Sequence, residues 1–271
     1  MVCVTSPRLR LAAAVLALCL VGGCANGITA QSASGPATAP SLIKAGDARR
    51  ASGDMPGAAA LYRSAADADP NNVDALILLG QTLAEAGAPS DAAEAFRDAM
   101  RLAPTNSDAQ RGMGNALVGL GQGALAVPYF ETAAVLSPQD WRPYLGLGVA
   151  QDLSGDAGAA QDAYQAGLSL SPGNPDLTNN YGLSLALAGD GGRAVGMLRR
   201  LSMETPDRRY RDTLAVALAL SGQDAEAATI MRETASPDTV ARMLETLRAV
   251  NAIDDHGRKA LALRSDYLGS Y

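Results

Sequence analysis

The chain of 271 residues is 48% hydrophobic but only 4% aromatic, and it contains 54 alanines. Alanine is the strongest helix former, whereas strands favour β-branched and aromatic residues, so this composition argues against an all-β sandwich or barrel. The formal net charge of -6 argues against nucleic acid as a partner, because binding to phosphates requires a basic surface. One histidine and three cysteines are too few ligands for a His/Cys metal site.

Residues 1–24 have the pattern of a secretory signal. Arg8 and Arg10 precede an apolar run of 11 residues at positions 11–21, which is shorter than the roughly 20 residues that a membrane-spanning helix needs. The run ends in the sequence VGGC, with the cysteine at position 24. This sequence resembles a bacterial lipobox, in which small residues precede a cysteine that is lipidated and becomes the mature N-terminus. The alternative is a plain cleavage signal in which Cys24 is incidental.

The lipobox resemblance implies that residues 1–23 are a lipoprotein signal peptide and that Cys24 carries a covalent lipid, with no other cofactor. In Gram-negative lipoproteins an aspartate after the cysteine favours retention in the inner membrane. This chain has Ala25 there, so the resemblance implies an outer-membrane lipoprotein that faces the periplasm. Removal of residues 1–23 takes away two of the 22 basic residues and none of the 28 acidic ones, so the net charge becomes -8. Without a polybasic patch, attachment to the membrane then rests on the lipid.

Residues 24–40 are interpreted as the lipidated cysteine and a flexible tether. Positions 25–40 carry no charged side chain and are rich in alanine, serine, glycine, threonine and proline. A flexible chain of this length spans roughly 20–24 Å. The sequence therefore predicts a folded body held close to the bilayer.

A period of 34 residues runs from residue 39 to residue 207. The recurring prolines are Pro70, Pro104, Pro138, Pro172 and Pro206, and one glycine column is Gly53, Gly87, Gly121, Gly155 and Gly189. A second glycine column is Gly46, Gly80, Gly114, Gly148 and Gly182, and an alanine column is Ala58, Ala92, Ala126, Ala160 and Ala194. Four positions after each alanine stand Tyr62, Phe96, Phe130, Tyr164 and Leu198. This pattern resembles the tetratricopeptide repeat, and the resemblance implies an all-α solenoid of helix-turn-helix pairs.

Each column has a structural reason. The small residues of the second glycine column and the alanine column let two antiparallel helices approach closely, and the bulky residue four positions after the alanine fills the remaining space. The first glycine column ends the first helix of each repeat, and the proline ends the second helix. Residues suited to the next N-cap follow the prolines, namely Asn72, Asn106, Asp140 and Asn174.

The predicted solenoid occupies residues 41–237. Its six repeats cover about 39–72, 73–106, 107–140, 141–174, 175–207 and a degenerate 208–237. In the sixth repeat Gly222 follows after 33 residues and Pro237 after 31, so the period is lost there. The remaining residues, 238–271, are interpreted as a capping helix at about 238–249 and a tail, with a short helix near 258–264.

Such a solenoid curves, and the first helix of each repeat lines its concave face. Partner-binding candidates on this face are Asp47, Arg50, Gln81, Glu85, Arg111, Asn115, Leu145, Val149, Asn179 and Leu183, with Asp152 beside them. The first six are polar, whereas the later positions are mostly apolar, so we expect a peptide groove with polar anchors at one end and an apolar trough at the other. Two alternatives remain open: these positions form the core between repeats, or the C-terminal segment lies in the trough.

Three smaller features of the sequence also bear on function. Arg111 and Asn115 resemble half of the carboxylate clamp by which some tetratricopeptide repeats hold the C-terminus of a partner. A dense basic stretch is either a solvated face paired with acids such as Asp207 and Asp212 or a contact for an acidic partner or lipid headgroup; it comprises Arg193, Arg199, Arg200, Arg208, Arg209 and Arg211. His256, which follows two aspartates, is expected at the surface.

The sequence contains no nucleophile elbow, no H-E-x-x-H motif and no P-loop, so we expect a non-catalytic protein. The lipobox, short tether and about six repeats together resemble the TadD family of tight-adherence (Flp) pilus assembly proteins. The resemblance implies a pilotin-like factor that helps a secretin assemble in the outer membrane. Its partners would be the secretin or another pilus-assembly component, with no small-molecule substrate. The alternatives are a type IV pilus pilotin and an envelope scaffold for peptidoglycan enzymes.

Overall fold

A computed structural model describes residues 38–263, and this part of the chain forms fourteen α-helices and no strand. The first eight helices are α1 (Ala39–Ala51), α2 (Met55–Ala68), α3 (Val73–Glu85), α4 (Pro89–Leu102), α5 (Ser107–Gly119), α6 (Gly123–Leu136), α7 (Arg142–Ser154) and α8 (Ala157–Leu170). The others are α9 (Pro175–Leu187), α10 (Gly191–Glu204), α11 (Arg208–Leu220), α12 (Asp224–Met231), α13 (Pro237–Asn251) and α14 (His256–Leu263). The signal peptide, Cys24 and most of the expected tether lie outside the described residues.

The first twelve helices form six consecutive pairs. Each helix packs against the next, and the first helices of neighbouring pairs also touch, from α1 on α3 through to α9 on α11. The first helix of every pair has 13 residues, and the second helix has 14 residues in the first five pairs. The predicted all-α tetratricopeptide-repeat solenoid is confirmed. We call the surface formed by α1, α3, α5, α7, α9 and α11 the first-helix face.

The turns between the helices follow the repeat columns. The five glycines expected to end the first helices all have positive φ, from +73° at Gly121 to +91° at Gly155, which residues with a side chain rarely adopt. The Asn72, Asn106 and Asn174 side chains cap α3, α5 and α9 as expected.

Asp140 differs from this pattern, because Trp141 is the N-cap residue of α7 and the helix begins at Arg142. Trp141 already has helical dihedral angles, so the start of the helix is displaced by one residue. The carboxylate of Asp140 still accepts a hydrogen bond from the backbone N–H of Arg142 at 3.0 Å.

The bulky column forms the centre of the core. Tyr62, Phe96, Phe130, Tyr164 and Leu198 are all at most 1% exposed. Phe130 lies between two repeats: a Cβ added to Gly114 of its own repeat would be 2.8 Å from its Cζ atom, and one added to Gly146 of the next repeat would also overlap the ring. Glycine at both positions therefore lets one ring fill the space between neighbouring pairs.

The C-terminal end departs from the repeat. Helix α12 has only 8 residues, and α13 packs on α11 and α12 with its apolar side. Helix α14 then turns back and packs on α7 and α9, which are first helices of earlier pairs. Among the described residues, none of the helices is both long enough and apolar enough to cross a membrane.

Candidate functional site

The polar candidates of the first repeats are bound to one another. The Nε atom of Arg50 donates to Glu85 Oε2 at 3.0 Å, and a second guanidinium nitrogen donates to the other carboxylate oxygen. This bidentate pair links α1 to α3. Asp47 accepts a hydrogen bond of 2.7 Å from the Tyr62 hydroxyl of α2. Gln81 lies one turn before Glu85 on α3 and is half-buried.

The environment of Tyr62 changes its acidity. Burial of the ring and the hydrogen bond to Asp47 raise the pKa of the Tyr62 phenol to about 12, because ionisation would place a second negative charge beside the carboxylate. The phenol therefore stays a hydrogen-bond donor at neutral pH. Asp47 and Tyr62 hold the first helix pair together, so Asp47 has a structural role in this arrangement.

Arg111 and Asn115 differ in accessibility. The Arg111 guanidinium forms an ion pair with Asp108 of the same helix at 2.7 Å, and its side chain is only 17% exposed. Its Nε atom is buried and has no hydrogen-bond partner within the described part of the chain. Asn115, one turn later, is exposed. A carboxylate clamp would need further donors from the next repeats, but Gly146 has no side chain and Asp176 is an acid.

The apolar candidates divide into two groups. Val149 and Leu183 are 7% and 3% exposed and belong to the core that joins the later repeats. Leu145 and Asn179 are half-buried and line an open pocket. The sequence treated these four residues as one surface, whereas the structure places only the second pair where a partner could reach it.

The pocket has a volume of about 490 Å³ and lies beside the N-terminal ends of α9 and α11. Helix α13 and the segment after α12 close its other side. Its apolar wall includes Leu145, Val216, Met231 and Met243, and its polar wall includes Asp176, Asn179, Arg208, Arg209, Asp212 and Thr234. Apolar and hydrogen-bonding groups thus face the same space, as in typical binding pockets.

Most charged groups of the pocket already have partners. Tyr210 donates its hydroxyl hydrogen to Asp176 at 2.9 Å, and the Arg209 guanidinium lies 5.3 Å from the centre of the Tyr210 ring. Burial and the Asp176 carboxylate raise the pKa of the Tyr210 phenol to about 12. The Arg208 side chain donates to Thr234 and Asp212 at 2.7 and 3.2 Å.

One polar atom of the pocket is unused. Asn179 Oδ1 is buried and has no hydrogen-bond partner among the groups described. A buried carbonyl oxygen without a partner is costly, so a donor group that reached it would gain a hydrogen bond. The residue itself lines the pocket.

Five of the six arginines of the basic stretch are paired with nearby acids, as one of its two interpretations predicted. Arg193, Arg199, Arg208, Arg209 and Arg211 form ion pairs with Asp190, Glu226, Asp212, Asp207 and Glu233 respectively. Arg208 and Arg209 also line the pocket. Two of these pairs connect different elements. Arg199 of α10 pairs with Glu226 of α12, and Arg211 of α11 pairs with Glu233, which follows α12.

The prediction for His256 was wrong. Its side chain is only 12% exposed, and its Nε2 atom lies 2.8 Å from Asp152 Oδ1. Asp152, which is 6% exposed, also accepts hydrogen bonds from Ser184 Oγ at 2.7 Å and Tyr164 Oη at 2.9 Å. His256 and Asp152 are 104 positions apart in the sequence, so no local pattern revealed this cluster.

The comparisons with known proteins agree with this architecture. The family model described as tetratricopeptide repeat matches residues 43–107 and 111–175. The crystal structure of MamA is 30% identical, with a TM-score of 0.51, and the match covers 58% of this chain and 92% of that one. PilW, described as a widely conserved type IV pilus biogenesis factor, is 20% identical with a TM-score of 0.63, and the match covers 72% and 93% of the two chains.

A further similar structure is that of Pseudomonas aeruginosa pilF, which is 20% identical with a TM-score of 0.57. That match covers 70% of this chain and 87% of the other. At this level of identity PilW and pilF share the fold with the chain, and nothing more specific follows. No curated protein sequence matches the chain.

Proposed function

Because the chain belongs to the tetratricopeptide repeat family, we propose that it is a non-catalytic scaffold that binds a protein client on its first-helix face. We propose further that a lipid on Cys24 holds it at the periplasmic side of the outer membrane and that its client is the secretin of a Flp/Tad pilus. The observation that carries the binding role is the open pocket beside α9 and α11.

The chemistry of the pocket suits a peptide segment. Leu145, Met231 and Met243 supply an apolar wall, and methionine side chains adapt to the shape of what they contact. Asn179 Oδ1 supplies an acceptor for a backbone or side-chain N–H group. An apolar side chain of the client would enter the pocket while its backbone donates to Asn179.

The pilus assignment rests on a different set of features. It comes from the lipobox-like sequence before Cys24, the short tether and the number of repeats, which together resemble the TadD family. The fold is also that of PilW, which is described as a type IV pilus biogenesis factor. These features motivate a lipid-dependent role in secretin assembly, which two experiments test separately.

The first experiment tests the pocket with a matched pair of methionine substitutions. Met243→Glu places a carboxylate in the apolar wall, whereas Met203→Glu makes the same change at a side chain on α10 that is 74% exposed. We expect Met243→Glu to weaken secretin binding by about tenfold or more, which corresponds to about 1.4 kcal/mol. Isothermal titration with the purified secretin domain measures this. Equal affinities for the two variants would place the client elsewhere.

The second experiment tests the lipid. Cys24→Ser removes the acceptor for the acyl chains, and Cys19→Ser changes a cysteine of the apolar run without affecting the lipobox. We expect Cys24→Ser to release the protein from the outer membrane and to reduce secretin multimers in that fraction, while Cys19→Ser leaves both unchanged. Normal multimers and piliation with Cys24→Ser would refute the lipid-dependent role.

A further inference from the structure

Helix α14 covers part of the first-helix face. It lies on the C-terminal ends of α7 and α9, away from the open pocket at the N-terminal end of α9. Gly257, Ala260 and Leu263 are buried, whereas Leu261 is 47% exposed. The three buried residues are spaced three apart, so they share one side of the short helix.

A polar cluster joins α14 to both underlying helices. Asp152 of α7 binds His256 of α14 and Ser184 of α9 through the same carboxylate oxygen, at 2.8 and 2.7 Å. Next to it the backbones come very close: a Cβ on Gly257 would lie 2.9 Å from the Leu153 carbonyl oxygen and 3.0 Å from the Gly155 nitrogen. The surface under α14 therefore selects a hydrogen-bonding residue followed by glycine.

Helix α14 buries fewer large apolar side chains than α13. Helix α14 has 8 residues and buries glycine, alanine and one leucine, whereas α13 has 15 residues and buries Val240, Leu244, Leu247 and Val250. A helix of 8 residues is not stable alone in water, so the helical form of α14 depends on its contacts with α7 and α9. Residues 252–255, which join it to α13, are in no helix.

From these contacts we propose that the surface of α7 and α9 beneath α14 is a binding site for a short amphipathic helix and that α14 is its resident occupant. A client helix takes the place of α14 if it presents a hydrogen-bond donor, a glycine, an alanine and a leucine at the spacing of His256, Gly257, Ala260 and Leu263. The client part rests on the proposed function, whereas the site itself does not.

The test uses a fluorescent synthetic peptide of residues 253–263 as the probe and the full chain as the receptor. Leu263→Asp in the receptor removes the fully buried leucine of α14, and Leu261→Asp makes the same change at the half-exposed one. We expect the peptide to bind Leu263→Asp at least tenfold more tightly than the wild-type chain or Leu261→Asp, because only Leu263→Asp vacates the site. His256→Ala, which loses the bond to Asp152, is a milder opening variant.

Two controls make the outcome decisive. A peptide carrying Gly257→Leu should not bind any receptor, because its side chain would meet the α7 backbone. Hydrogen exchange should show fast exchange in α14 but unchanged protection of α7 and α9 in the opened variants. The proposal is overturned if neither Leu263→Asp nor His256→Ala binds the peptide. It is also overturned if both variants lose protection in α7 and α9, since α14 would then be an integral part of the core.

The result separates this inference from the proposed function. If the peptide binds but the secretin does not, the helix-binding site is supported and only the pilus role is refuted. Secretin binding that is equal in the wild-type chain and in Leu263→Asp would refute displacement of α14 by the client.

Discussion

The two halves of the first-helix face use their charged groups in opposite ways. In the first repeats, Arg50 and Glu85 pair across neighbouring helices with side chains that are 31% and 43% exposed. In the later repeats, the carboxylate of Asp152 is buried and satisfied by donors from three different helices. Helices of identical length and spacing thus carry an accessible ion pair between α1 and α3 and a covered carboxylate beneath α14.

The reason for the difference lies outside the repeat pattern. Within the described residues, α13 and α14 pack mainly on the second half. Helix α14 also reaches the turn after α5, where Leu261 lies close to Gly121. A carboxylate that is buried by an added helix loses its contact with water, so it needs hydrogen bonds from the protein instead. Asp152 beneath α14 receives these bonds.

The largest expected effect comes from separating the two halves. Phe130 fills the junction between the third and fourth pairs, so Phe130→Ala should cost about 3–5 kcal/mol of unfolding free energy. We also expect the wild-type chain to unfold in one denaturant transition and the variant in two, since the halves of the variant would no longer unfold together. Urea unfolding followed by circular dichroism measures both. Val135→Ala, on the same helix but 79% exposed, is the control and should change stability by less than about 0.5 kcal/mol.

An intermediate effect is expected from alkaline pH, which probes one tyrosine in each half. Tyr62 and Tyr210 have a pKa of about 12 in the folded chain, above the ordinary value of 10.0. The unfolded chain loses these protons first, so the stabilisation is complete below pH 10 and is lost as the pH rises towards 12, by about 1 kcal/mol per tyrosine near pH 11.

Ultraviolet titration of the phenols and thermal unfolding between pH 9 and pH 12 measure this dependence. Tyr62→Phe and Tyr210→Phe should each remove one of the two late-titrating phenols. If the phenols of Tyr62 and Tyr210 titrated near pH 10, this would contradict the burial and hydrogen bonds described for both halves.

The smallest effect is expected at the exposed charges. A double-mutant cycle with Arg50→Gln and Glu85→Gln should give a coupling of about 0.2–1 kcal/mol, which falls with added salt. The same cycle for Arg208 and Asp212 of the later half provides the comparison, because that pair is also exposed. A coupling of several kcal/mol at either pair would show that the exposed charges matter more than their accessibility indicates.

The period of 34 residues predicted the parts of the fold that repeat. The positions of Gly53, Phe96 and Pro104 each follow from what a helix pair needs, and the structure uses them accordingly. The period could not predict contacts that occur at one place in the structure and do not recur in the other repeats. His256 meets Asp152 only because α14 turns back over the face, and Met243 reaches the pocket from a helix outside the repeats.

The candidate site was therefore predicted in part. Leu145 and Asn179 were placed on the correct face and line the pocket. Val149 and Leu183 were placed on the same face but lie in the core, because spacing along a helix identifies its buried side without showing how far a neighbouring helix covers it.

The shortened α12 has a consequence for how such proteins diverge. It ends at Met231 after 8 residues, where the second helices of the earlier pairs have 14, and Met231, Thr234 and Ala235 line the pocket at this point. The shorter terminal helix thus leaves room for a concave site, while the regular lengths of the other helix pairs are kept. A change in the length of this one helix would alter the shape of the pocket, while the five regular pairs remain a constant support.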